Sequence, residues 1–187
     1  MDNYNLFLKN QLDLVNNHQV NLTEEDILNF LKITNRWPVH TIRNIPTVEI
    51  INQWGKTVSE FFNASGKFLF DEWKKYYDRG FTTILSDILD LSEELRSLDQ
   101  KLCDSCGKKI HANFYFSKGS ENCSRVSLEH HSHEYDVIVK MIYGKSLWKL
   151  NDEYFEVQDE SIIIPAGTMH SVVQCTDKKL SLTINMV

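Results

Sequence analysis

Glu129-His130-His131-Ser132-His133 and, further along, Pro165-Ala166-Gly167-Thr168-Met169-His170 are the stretches on which the reading of this chain turns. On an extended strand successive side chains alternate faces, so His131 and His133 project together while His130 projects away. A third histidine from a neighbouring strand completes a triangle of neutral imidazoles, a donor set suited to iron, zinc, copper, nickel or cobalt. Histidines also cluster on solvated strand edges, so the first stretch alone leaves that alternative open. The second stretch argues for the triangle, because a Pro-x-Gly turn followed by a histidine, separated from the first by short hairpins, brings His170 back toward the pair.

Outward from these stretches, everything from Lys109 onward has a period of two. Ile110–Phe116, Asp136–Tyr143, Ser146–Leu150, Tyr154–Val157, Ser161–Ile164, His170–Gln174 and Leu180–Val187 read as short strands. Gly119, Gly144, Asn151-Asp152, Pro165-Ala166-Gly167 and Thr176-Asp177 mark turns between them. Many short strands with frequent turns predict an antiparallel sandwich or barrel over 109–187.

Before residue 109 the pattern is helical. Leu6, Leu8, Leu12 and Val15 form one rough apolar stripe. Thr23 followed by Glu24, Glu25 and Asp26 opens a helix that Ile27, Leu28 and Leu31 continue and Trp37-Pro38 stops. Val48, Ile51, Trp54, Val58 and Phe61 predict a further helix within 47–62. Ser92 is an expected N-cap, with Leu91, Leu95, Leu98 and Leu102 as the apolar face behind it. Phe61, Phe62, Phe68, Phe70, Trp73, Tyr76 and Tyr77 fit packing between helices and barrel better than a substrate lid. No linker is rich in Gly, Ser or Pro, so the helical region 1–108 is expected to pack directly on the barrel, giving an α+β chain.

Composition narrows the classes. The 187 residues are 42% hydrophobic and 25% charged, an ordinary globular balance for one domain with a helical appendage. A formal net charge of −6 makes nucleic acid a poor partner. No apolar run approaches the roughly 20 residues of a membrane helix. The N-terminal stretch lacks the basic start and apolar core of a signal peptide. A cytoplasmic location is therefore expected, with the four cysteines as reduced thiols.

The two histidine stretches together resemble the motifs of the cupin superfamily, where His-x-His precedes a Gly turn and a second motif contains Pro-x-Gly-x-x-His. More closely, the chain resembles the JmjC and ribosomal-oxygenase-like branch of iron(II)/2-oxoglutarate oxygenases. There a pattern like His-x-Asp-x-x-Asp-Val precedes Gly-x-x-x-Trp. Here the residues are His131-Ser132-His133-Glu134-Tyr135-Asp136-Val137 and Gly144-Lys145-Ser146-Leu147-Trp148. Glu160-Ser161-Ile162-Ile163-Ile164-Pro165 is similar to that branch's Gly-Asp-x-x-x-x-Pro. Tyr77-Asp78-Arg79-Gly80-Phe81 resembles its entering segment and Ala112-Asn113-Phe114-Tyr115 its Ala-Asn-x-Tyr strand. The likeness covers about residues 70–187. It implies a double-stranded β-helix, or jelly roll, with helices against its outer face. It also implies iron(II) held by His131, His133 and His170, and dioxygen used to oxidise or hydroxylate a small molecule or peptide side chain, with 2-oxoglutarate as co-substrate.

Two positions depart from that branch. Its second ligand is Asp, and here it is His133, which removes one negative charge from the site. Its co-substrate carboxylate is anchored by Arg or Lys two residues after the Gly of Gly-x-x-x-Trp, and here that residue is Ser146. A hydroxyl does not neutralise a carboxylate as a guanidinium does. Either 2-oxoglutarate is held from elsewhere, with Arg125 a candidate on strand parity although it also reads as a surface residue, or it is not used. The glutamate that many cupins add as a fourth ligand would fall at Val137, so three protein ligands and open positions are expected.

Asn113, Tyr115 and Asn185 are candidate pocket residues that could bind a small acid. Asp136 is expected to brace the ligand strand and Trp148 to fill the barrel. Cys103-Asp104-Ser105-Cys106 has the spacing of a zinc or redox pair but lacks a second pair or a thioredoxin-like context. Four functions stay open: a 2-oxoglutarate-dependent oxygenase, a three-histidine dioxygenase without that co-substrate, a metal-dependent isomerase or decarboxylase, and a non-catalytic ligand-binding cupin.

Overall fold

The computed structural model describes residues 3–33, 47–52, 55–58, 61–119, 129–174 and 177–187. The helices are α1 (Asn3–Asn16), α2 (Glu24–Ile33), α3 (Phe70–Tyr77) and α4 (Glu93–Cys106). The early strands are β1 (Val48–Ile51), β2 (Thr57–Val58) and β3 (Thr83–Ser86). The later ones are β4 (Ile110–Ser117), β5 (Asp136–Tyr143), β6 (Lys145–Leu150), β7 (Glu153–Gln158), β8 (Ser161–Ile164), β9 (His170–Gln174) and β10 (Lys179–Met186).

The helix signals act as read. Thr23 and Asp26 form a reciprocal cap on α2: the Asp26 N–H donates to Thr23 Oγ1 at 3.2 Å, and the Thr23 N–H to Asp26 Oδ2 at 2.9 Å. The Leu95 N–H donates to Ser92 Oγ at the start of α4, and Gly107 ends that helix in the left-handed conformation at φ +64°. Trp37-Pro38 lies outside the described residues.

The helix expected within 47–62 is not formed. Val48–Ile51 is a strand between β2 and β3, with Val48 opposite Leu85 and Ile50 opposite Val58. The apolar positions have helical spacing, yet Val48, Ile50, Ile51, Thr57 and Val58 are β-branched and extend a sheet already begun by β3. Trp54 lies outside the described residues.

Among the described residues all strand pairings are antiparallel. One sheet runs β2-β1-β3-β4-β10-β5-β8 and the second β7-β6-β9. The period of two sorts the strands cleanly. On β10, Leu180, Leu182, Ile184 and Met186 face a core shared with the helices, where Trp73, Phe114, Leu98 and Leu102 are fully buried. Lys179, Ser181, Thr183 and Asn185 take the opposite face, toward the second sheet. A smaller core of Val137, Val139, Met141, Trp148, Val157, Ile164 and Val172 fills the space between the sheets. The aromatic run belongs to the first core: Trp73 stacks on Tyr77 at 5.0 Å and contacts Phe68 and Phe116, and its indole N–H donates to Thr83 Oγ1 at 3.1 Å.

The helical region is bolted to the sheets by polar contacts as well. Lys140 Nζ, on β5, donates to the carbonyls of Val15 at 2.7 Å and His18 at 2.6 Å, closing the end of α1. The Tyr4 hydroxyl, at the other end of α1, donates to Asp136. Gly144 makes the β5–β6 turn at φ +79°, where an added Cβ would lie 2.1 Å from the Lys178 carbonyl oxygen. Among the described residues no helix is long and apolar enough to cross a membrane.

Candidate metal centre

His131 and His133 do not lie on a regular strand, as expected from their alternation, but in the extended segment just before β5. His131 bridges to His170 across an isolated antiparallel pair, with N–H···O distances of 3.0 and 2.8 Å. That bridge lays the segment beside β9, on the far side from β6. His170 thus sits between two neighbours, and its turn is tied to the first stretch: the Gly167 N–H donates to the His133 carbonyl at 2.7 Å, and the Ala166 N–H to Asp136 Oδ1 at 3.0 Å. Asp136, nearly inaccessible, therefore braces both ligand-bearing segments. It also holds the Tyr4 phenol up at about 12.

The three imidazoles converge. One ring nitrogen from each of His131, His133 and His170 lies within 4.8 Å of the others. Ring centroids are 4.8, 4.4 and 5.1 Å apart for the 131–133, 131–170 and 133–170 pairs. His131 Nδ1 lies 2.7 Å from the Glu129 carbonyl oxygen, and His170 Nδ1 lies 2.9 Å from that of Thr168. A carbonyl only accepts, so both Nδ1 atoms carry the proton and both Nε2 lone pairs are free to bind a metal. His133 stacks on Tyr135 at 4.9 Å and 11°. Burial holds the His170 imidazolium down to about 4, and burial together with His131 lowers that of His133. Neutral donors with two fixed tautomers fit a divalent transition metal. His130 projects outward, as its parity requires, and lies 3.4 Å from Ser171 Oγ.

The triad opens into a cavity of about 40 Å³ that is partly open to solvent. Val137, Val139, Trp148, Ile164 and Val172 give it an apolar wall. Thr82, Tyr115, Lys179, Ser181 and Thr183 give it a polar one. Of the expected pocket residues, Tyr115 lines the cavity. Burial first, then Tyr135 and Glu49, push its phenol up to about 12, so it stays a donor. Asn113 and Asn185 share the inward face of β4 and β10, with Asn113 opposite Thr183 and Asn185 opposite Val137, but neither reaches the cavity lining. Ser146 is buried and does not line it either. Its hydroxyl accepts the Trp148 indole N–H at 2.8 Å and lies 3.8 Å from Met141 Sδ. Trp148 in turn stacks on His170 at 6.3 Å. Arg125 falls outside the described residues. Cys103 and Cys106 sit in the last turn of α4, Cys103 donating to Asp99 at 3.4 Å, and join no metal-ligating group among the described residues. Sequence reasoning passed over Thr82, Lys179, Ser181 and Thr183. The alternation of Lys179-Leu-Ser-Leu-Thr-Ile-Asn185 carries the signal, since its polar face had to point somewhere once the leucines were placed in the core.

No known family model matches this chain, and no curated protein does. Solved structures do. Escherichia coli YcfD, a ribosomal oxygenase, in complex with cobalt and 2-oxoglutarate superposes with a TM-score of 0.61 at 12% identity, covering 91% of this chain and 45% of that one. The same protein with cobalt and succinic acid gives 0.58 at 12% identity, and without them 0.55 at 9%, with the same coverage. This chain thus spans a little under half the length of YcfD. It shares the fold of that protein over the matched region, and among the described residues three histidines form a cluster able to hold a metal.

Proposed function

We propose that this protein is a non-haem iron(II)-dependent dioxygenase in which His131, His133 and His170 hold the metal and a small molecule or peptide side chain is oxidised without 2-oxoglutarate, in the cytoplasm. The observation that carries this reading is the donor set itself: three neutral imidazoles with no carboxylate among them. Ser146 adds to it, since its hydroxyl is committed to Trp148 and away from the cavity. Iron(II), when bound, supplies the one-electron chemistry that lets dioxygen react with an organic substrate. The chain supplies the rest. The Glu129 and Thr168 carbonyls fix the ligand tautomers, the Val137/Val139/Ile164 wall excludes water, and the Tyr115 hydroxyl offers a proton or a hydrogen bond to the substrate.

Metal analysis and oxygen uptake test this together. The wild type should carry one divalent ion per chain and consume dioxygen when iron-loaded with a suitable substrate. His170→Ala should lose the ion, and unchanged stoichiometry there would sink the assignment. A second reading, a 2-oxoglutarate-dependent oxygenase, is favoured by the fold shared with YcfD, whose structure holds cobalt and 2-oxoglutarate. Anaerobic titration with iron(II) and 2-oxoglutarate separates the two, because chelation by that acid gives a visible charge-transfer band and turnover gives succinate.

A further inference from the structure

Lys179 is the least expected residue of the cavity. It is 2% exposed, yet it lines the space that the histidines open into. Among the described residues its Nζ makes no ion pair within 4 Å, and none of its hydrogen bonds is to a side chain. Among the described residues, the cavity lining contains no Asp or Glu. Glu49, whose charge reaches Tyr115, forms no ion pair with it. An ammonium facing a largely apolar cavity, with no counter-charge among the described residues, is suited to pair there with an anion. The residues around it suit an anion. Ser181 lies two positions along on the same face of β10, its hydroxyl donating to the Tyr115 carbonyl at 3.3 Å, and Thr183 lies two further. Tyr115 and Thr82 bring hydroxyls from the strand side, with Tyr115 directly opposite Ser181 across the β4–β10 ladder.

We infer that Lys179, with the hydroxyls of Tyr115 and Thr183, forms a subsite for the carboxylate of an organic acid, whose other end faces the three histidines. The inference rests on the reading of this cavity as the reaction chamber. The acid is either the substrate itself or 2-oxoglutarate. In both cases the shared chemistry is one carboxylate paired with Lys179 Nζ, strengthened by the low-dielectric wall of Val137, Val139 and Ile164.

Calorimetric titration of the zinc-loaded and metal-free protein with succinate and with 2-oxoglutarate provides the test. Both acids should bind the wild type. Lys179→Met should weaken them by about tenfold or more, and Lys179→Arg should stay within about threefold, because it keeps the positive charge. Zinc stoichiometry should be the same in all three proteins. Wild-type protein that binds neither acid, or Lys179→Met protein that binds them as tightly as wild type, would overturn the subsite. A crystal structure of the wild type grown with succinate does not depend on any variant folding: a carboxylate within hydrogen-bond distance of Lys179 upholds the inference, and one bound elsewhere refutes it. Consumption of 2-oxoglutarate marks the subsite as the co-substrate's, while Lys179-dependent binding of both acids without consumption marks it as the substrate's. Lys179-dependent binding in a protein that takes up no dioxygen would leave the subsite standing and remove the oxygenase. Oxidation that continues alongside Lys179-independent binding would do the reverse.

Discussion

The backbone N–H of Gly167 donates to the carbonyl of His133 at 2.7 Å, so the segment carrying two of the histidines is stitched to the turn that delivers the third. Asp136 doubles that stitch through Ala166. The triad is therefore held by backbone contacts between two loops rather than by one rigid strand. Its geometry depends on residues that would never touch a metal.

Asp136→Ala should expose that dependence. It removes the acceptor for the Ala166 N–H and the Tyr4 hydroxyl in a buried place. Metal affinity, read by competition with a chromophoric chelator, is expected to fall by about tenfold. Asp136→Asn keeps one acceptor oxygen and should lose less. Equal affinity in wild type and Asp136→Ala would show that Gly167 alone holds the turn.

Gly144→Ala tests the close approach at the β5–β6 turn. The new Cβ would meet the Lys178 carbonyl at 2.1 Å, and the backbone sits at φ +79°. Strain and overpacking together should cost at least about 2 kcal/mol in urea unfolding. The shift must also move Lys179, the next residue, so carboxylate binding should weaken with stability. A variant as stable as wild type would mean that the turn relaxes freely.

His170 sets a pH dependence in the metal-free protein. Burial lowers its folded value to about 4, against about 6.5 in the unfolded chain. The unfolded state thus takes up a proton that the folded state refuses as pH falls below about 6.5. The stability held above that pH is lost progressively down to about 4, by an amount on the order of 3 kcal/mol. Thermal unfolding of chelator-treated wild type and His170→Gln across this range should converge at the acid end. Parallel curves would place the acid sensitivity elsewhere.

Much of this arrangement was legible before any coordinates. The switch to period two after Lys109 gave the seven later strands, because each buries a face in at least one of the two cores. The Pro-x-Gly turn gave His170 its partners. The stretch 47–62 misled, since its apolar spacing matched a helix while its β-branched residues completed a sheet that only β3 could offer. Asn113 and Asn185 were placed on the right face, but strand parity says nothing of depth, and they lie beyond the cavity lining. Lys179 was hidden by habit, as lysine ordinarily marks solvent, and only the placement of Leu180 and Leu182 in the core reveals where it must point.

His133→Asp separates the two oxygenase readings most directly. The substitution rebuilds a two-histidine, one-carboxylate set at a position where the JmjC-like branch carries aspartate. It also removes the stack on Tyr135, while the carbonyl contacts of His131 and His170 remain. The variant should therefore still bind one metal per chain. The added negative charge favours the higher oxidation state, so iron(II) in the variant should oxidise in air faster than in wild type, which a ferrous-specific chromophore would follow without any substrate. If three neutral ligands belong to the native chemistry, substrate-driven oxygen uptake should fall in the variant even though metal content does not. An ordinary 2-oxoglutarate oxygenase that merely tolerates histidine would behave in the opposite way: uptake would hold or rise, with succinate formed in step. That outcome, with Lys179 still required for binding the acid, would assign the cavity to 2-oxoglutarate and set aside the co-substrate-free reading.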